Sequence, residues 1–121
     1  MKQGEAAAIV NASRELLGQG DAEGAERVLS PILRDLRADG ATLHLMGLIK
    51  KAQNQLAEAE RHFRSAIAVS LREGGYYNDL GVILQARGEF AEASRIFRAA
   101  MALLPEAASV RANLVRCLLA A

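Results

Sequence analysis

Residues 40–73 read GATLHLMGLIKKAQNQLAEAERHFRSAIAVSLRE, and residues 74–107 read GGYYNDLGVILQARGEFAEASRIFRAAMALLPEA. Aligned end to end, the two stretches match Gly47 with Gly81, Ala59 with Ala93, Phe63 with Phe97 and Ala66 with Ala100. Ala57/Ala91, Glu58/Glu92, Arg61/Arg95, Arg64/Arg98 and Ala68/Ala102 match as well, each pair 34 positions apart. A fixed period of this length marks a stacked supersecondary unit that cannot bury its apolar face alone. Stacked units make a quasi-linear molecule with a long surface suited to holding another chain.

Within each unit the apolar residues recur three or four apart along two stretches, the signature of two amphipathic helices. In the second unit they are Leu43, Met46, Gly47 and Ile49, then Ala59, Phe63, Ala66 and Ile67. Tyr77, Leu80, Gly81 and Leu84, then Phe90, Ala93, Phe97 and Ala100, repeat the pattern. A weaker copy precedes them: Ile9, Ala12, Ser13 and Leu16, then Ala22, Ala25, Leu29 and Ile32. The register therefore predicts one domain over 1–121, with units at 6–39, 40–73 and 74–107 and a terminal helix at 108–121.

The turn inside each unit supports that register independently. It falls at Gly20, Asn54 and Gly88, the residue types that most readily take the left-handed backbone ending a helix. Asp21 is placed to cap the following helix, and Glu23, Glu58 and Glu92 put negative charge in first turns. Pro105 separates the third unit from the last helix. Pro31 falls inside the second helix of the first unit, where a lost backbone bond predicts a kinked or shortened helix.

Composition favours the same class. The 121 residues are 51% hydrophobic but only 4% aromatic, so the apolar content is largely that of strong helix formers. Fifteen Lys and Arg against 14 acids leave a net charge of +1, which argues against nucleic acid as the ligand. One Cys and no Cys/His cluster at ligand spacing predict no disulfide, no metal and no cofactor. No apolar run approaches the ~18 residues of a membrane span. Met1–Ser13 lacks the apolar stretch of a secretory signal, so a cytoplasmic location is the expectation.

The pattern resembles the tetratricopeptide repeat, a 34-residue helix–turn–helix with small residues at its positions 8, 20 and 27. Those are Gly47, Ala59 and Ala66, then Gly81, Ala93 and Ala100; in the first unit they are Ser13, Ala25 and Ile32, the last a departure. The large position 24 is Leu29, Phe63 and Phe97. The resemblance implies an all-α, right-handed solenoid of seven helices, in which position 8 meets position 20 and the Phe residues fill the larger gaps. It also implies a groove lined by positions 2, 5, 9 and 12 of each first helix.

Carried onto this chain, those groove positions supply Arg14, His44, Lys51, Asn78, Gln85 and Arg116 as contact residues, with Leu48 and Val82 as apolar floor. They include no acid, so a protein or peptide partner bearing carboxylates is expected. The carboxylate-clamp domains are similar in outline, but only Asn78 and Lys51 come near the clamp set, and the clamp is not carried over.

No nucleophile, base and acid assemble outside what the repeat already explains, so no catalytic residue is assigned. His62, beside Arg61, is expected to face solvent, and the charges of the second helices to form a solvated face. Cys117, between Leu114 and Leu118, reads as a buried small hydrophobe. The functional expectation is a non-catalytic interaction scaffold. Its rivals are the recognition arm of a larger bacterial enzyme, such as a sulfotransferase or glycosyltransferase, and a homo-oligomer built through the end helices.

Overall fold

Three left-handed turns decide where the chain doubles back. In the computed structural model, which describes residues 3–35 and 38–121, Gly20, Asn54 and Gly88 have φ of +86°, +59° and +78°. Each closes the preceding helix in the same way. The amides of Gly20 and Asp21 donate to the carbonyls of Leu17 and Leu16. Asn54 and Gln55 reach Lys51 and Lys50, and Gly88 and Glu89 reach Gln85 and Leu84. The paired bonds satisfy carbonyls that a helix end leaves orphaned. Asp21 then caps the next helix by accepting from the Gly24 amide at 2.8 Å, and Asp39 does the same for Thr42 at 2.8 Å.

The described residues form seven helices and no strand: α1 Gln3–Gly18, α2 Ala22–Asp35, α3 Gly40–Ala52, α4 Leu56–Val69, α5 Gly74–Ala86, α6 Phe90–Leu103 and α7 Ala108–Ala120. Glu23, Glu58 and Glu92 sit in the first turns of α2, α4 and α6, against the positive end of each helix dipole. Pro31 does not shorten its helix, for α2 runs 14 residues, as do α4 and α6. It lies on the exposed side, while Ala25, Leu29 and Ile32 are buried on the other and hold the helix through it.

Each helix packs on the next along the chain. In addition α1 touches α3 and α5 touches α7, whereas α2, α4 and α6 make no comparable contact with one another among the described residues. The first helices of the pairs therefore crowd together on an inner side, and the second helices splay on an outer side. The core lies between these layers in two clusters. One gathers Ala25, Leu29, Leu45, Met46 and Ile49; the other runs from Ala59 and Phe63 through Leu80, Leu84, Ala93 and Phe97 to Leu114 and Cys117.

Packing inside a pair turns on position 8. A methyl built on Gly81 would come 2.5 Å from Cε1 of Phe97, and Gly47 stands against the Phe63 ring in the same manner. The atoms nearest such a methyl all belong to the position-24 aromatic, not to Ala59 or Ala93. In the first pair, position 24 is Leu29, and position 8 carries a side chain. Ser13 is fully buried, and its hydroxyl donates to the Ala25 carbonyl at 2.8 Å. Glycine is thus required only where an aromatic ring occupies the space.

Gly81→Ala is expected to destabilise by ~1–3 kcal/mol from overpacking, reduced by up to ~1 kcal/mol of gained helix propensity. Adding Phe97→Leu, which copies the first pair, should recover part of that loss, with a coupling of ~0.5–3 kcal/mol. Urea melts of the four proteins measure it; simple additivity would show that the ring is not what excludes the methyl.

Candidate functional site

The inner face carries a ladder that repeats across the pairs. Position 5 of one first helix meets position 6 of the next, 35 residues later. Nε2 of His44 on α3 donates to Oδ2 of Asp79 on α5 at 2.6 Å. Nδ2 of Asn113 on α7 donates to Oδ1 of Asn78 on α5 at 3.0 Å. Arg116 extends the second link by donating to Oδ1 of Asn113. At the first junction the rung is apolar: Val10 packs on the cluster that holds Leu45. The His44 imidazole also stacks on Tyr76, centroids 4.6 Å apart, and leans on Phe63 at 5.4 Å.

His44 is therefore joined to an acid, and Asn78 and Arg116 to each other through Asn113. Leu48 and Val82 are half-buried and pack on the larger cluster. Arg14 and Lys51 are exposed and Gln85 is half-buried. Arg14 has only a weak 3.4 Å bond to Asn11, and Lys51 and Gln85 have no side-chain bond among the described residues. Of the repeat positions, Gly47, Ala59, Phe63, Ala66, Gly81, Ala93, Phe97 and Ala100 are all buried.

Sequence reasoning missed Asp79, Asn113 and Tyr76, because positions 6 and 3 were not among the groove positions considered. The signal was present in the pairing of polar residues 35 apart. Tyr76 also reports on the edge of the groove. Burial raises its hydroxyl pKa above 10.0, Glu73 and Asp39 push it further up, and Arg14 opposes them. Asp39 and Glu73 stand at the starts of α3 and α5, while Lys51, Gln85 and Arg116 lie in the later part of α3, α5 and α7.

The outer face is cross-linked rather than simply solvated. Gln53 donates to Glu26 at 2.8 Å, and Arg87 bonds Glu60 from the same repeat position, 27 residues along in each case. Lys50 bridges Glu26 at 2.8 Å and Glu58 at 3.2 Å. The hydrogen bond from Lys50, then that from Gln53, holds the Glu26 carboxyl below its ordinary 4.5. His62 is half-buried instead of facing solvent. Burial chiefly, then the charges of Arg61 and Lys50, hold its pKa below 6.5. Cys117 is buried, its thiol 3.3 Å from the Phe90 carbonyl. Among the described residues no three His, Cys, Asp or Glu gather around a metal-sized space, and no helix is long and apolar enough to cross a membrane.

The chain matches the family model of the tetratricopeptide repeat over residues 40–73 and 75–114. No curated protein sequence matches it. In structure it is similar to an O-GlcNAc transferase of Thermobaculum terrenum, with a TM-score of 0.89 at 23% identity; the match covers 98% of this chain and 23% of that one. It is also similar to the second tetratricopeptide domain of human RPAP3, solved with an HSP70 peptide, at TM-score 0.86 and 16% identity over 93% of each chain. A third likeness is to the Yersinia enterocolitica type III secretion chaperone SycD, solved with a peptide of the translocator YopD. That match has a TM-score of 0.88 at 17% identity and covers 98% of this chain and 95% of that one.

Two of the shifted groups of the outer face, His62 and Glu26, act in separate pH windows. His62 binds a proton more readily when the chain is unfolded, so its contribution is intact above 6.5 and is lost as pH falls toward its lower folded value. Glu26 contributes above 4.5 and loses that contribution as pH falls through its depressed folded value. The melting temperature should therefore drop between about pH 7.5 and 5.5. His62→Ile, which copies Ile96 of the next pair, should flatten that step and leave the acid limb in place. An unchanged step in the variant would assign it to another group.

Proposed function

The chain belongs to the tetratricopeptide repeat family, and from that premise we propose that it is a non-catalytic scaffold whose inner groove holds an extended peptide or protein segment. Residues 1–121 act in this reading as one domain. The observation that carries it is the distribution of charge on the inner face. Arg14, Lys51 and Arg116 have no acid partner among the described residues, and Asp79 is engaged with His44. Acidic groups of a ligand then lie along the edge marked by Lys51, Gln85 and Arg116, where their charge is complementary. Leu48 and Val82 form the apolar floor, and His44 and Asn78 serve as struts that hold neighbouring first helices in register.

Two fold relatives support peptide binding: the human RPAP3 domain was solved with the HSP70 peptide SGPTIEEVD and SycD with a translocator peptide. A second reading places this array as the recognition arm of a longer enzyme. It is favoured by the transferase likeness, since the chain spans less than a quarter of that protein, 23%. A cytoplasmic setting suits either role. The rival of self-association draws on α7, where Val115, Leu118 and Leu119 are 54%, 47% and 81% exposed. A concentration-dependent mass abolished by Leu119→Glu would favour it.

Fluorescence anisotropy with the acidic nonapeptide SGPTIEEVD, and with the same peptide amidated at its acidic side chains, tests the groove. The acidic form should bind, and Lys51→Glu/Arg116→Glu should weaken it about tenfold or more, with a matching sensitivity to salt. Equal affinity for both peptides, or for wild type and variant, rejects the assignment.

A further inference from the structure

The outer gap between α2 and α4 and that between α4 and α6 are built from the same repeat positions but filled differently. In the second gap Arg64 on α4 donates to Glu60 at 2.9 Å and reaches Glu92 on α6, so its guanidinium spans the space between the helices. Thirty-four residues earlier stands Ser30, whose hydroxyl turns back to the Glu26 carbonyl at 2.7 Å. Lys50 of α3 supplies the bridge between Glu26 and Glu58 from the inner layer, and the room that an arginine would take is left open.

A cavity of about 310 Å³, open to solvent, occupies that room. Leu33 and Met46 form its apolar part, Ser30, His62 and the exposed Arg34 and Arg61 surround them, and the Lys50-bridged carboxylates of Glu26 and Glu58 complete the lining. Its volume is at the lower end of the range for small-ligand sites, ~300–1,000 Å³. Leu33 and Met46 give it an apolar patch, and the rest of the lining is polar or charged. Lys50 is only 11% exposed and is engaged with both nearby carboxylates. Arg34 and Arg61 have no ion-pair partner among the described residues. Burial is the chief cause of the His62 shift, and among the charges Arg61 and Lys50 act on it more strongly than Glu58 and Glu26 do.

We propose that this outer cavity binds a small monocarboxylate with a short apolar body, the acid meeting Arg34 and Arg61 and the body resting on Leu33 and Met46. A carboxylate suits planar guanidinium donors, and charge-assisted bonds of this kind are about twice as strong as neutral ones. The site is separate from the inner groove, so it stands or falls independently of the peptide-binding role.

Ser30→Arg supplies the test because it copies the filled gap. The new arginine would find Glu26 four residues before it and Glu58 across the gap, as Arg64 finds Glu60 and Glu92. It is expected to fold, to melt no lower than wild type, and to close the cavity. The probes are hexanoate, its neutral analogue hexanamide, and inorganic phosphate, each titrated into the ¹⁵N-labelled protein and followed by amide shifts. Hexanoate should cause saturable shifts around Ser30 and His62 on α2 and α4, with hexanamide and phosphate at least ~10-fold weaker. Ser30→Arg and Arg61→Glu should each remove the hexanoate response. Three results would overturn the site: no saturable shift, binding that survives both substitutions, or phosphate matching hexanoate.

Discussion

The ring at position 24 and the missing side chain at position 8 are one constraint seen from two helices. Phe63 and Phe97 fill the space between paired helices only because Gly47 and Gly81 present bare backbone to them. The same rings belong to a continuous apolar cluster reaching from α4 to α7, so what aligns a pair also joins it to its neighbours. Overpacked cores have little room to relax, which makes the glycine as much a requirement as the aromatic. The first pair solves the problem with smaller parts, Leu29 and a Ser13 that bonds the facing carbonyl. Its core is accordingly a separate, smaller cluster, shared with α3 through Leu45, Met46 and Ile49.

From this packing follows a division of the surface. Because α1 packs on α3 and α5 on α7, while the second helices make no comparable packing contact among the described residues, the inner side is crowded and the outer side gapped. On the inner side, half-buried polar pairs such as His44 with Asp79 and Asn78 with Asn113 satisfy one another where desolvation would make a lone group costly. On the outer side, charged residues reach across the gaps instead, and the identity of one residue decides whether a gap is closed. Arg64 spans one; Ser30 leaves the other open.

The helical period, the turns and the small residues were legible because each depends on local geometry. Gly20, Asn54 and Gly88 declare left-handed backbone by residue type alone, and the structure finds all three at positive φ. The surroundings of the candidate groove were less legible. Its positions were assigned through the family pattern, which says which helix faces inward but not which neighbour a side chain meets. Asp79 was overlooked for that reason, though it contacts His44 directly. Pro31 did not shorten its helix, because a proline on the exposed side of a helix well packed on its other side need not end it. His62 misled because its neighbour Arg61 suggested solvent, while the approach of α2 and α3 half-buries it.

By itself, the order of amino acids determined that this chain is a stack of helix pairs with a 34-residue repeat, since short-range periodicity, turn chemistry and residue size suffice for that. Only the tertiary structure decided which polar groups neutralise each other, which histidine is shielded and where room is left between outer helices. Those properties depend on distances between side chains 24 to 35 residues apart, set by how the pairs splay. No local pattern encodes that angle; it comes from the summed packing of rings, small residues and bare backbone across the whole stack.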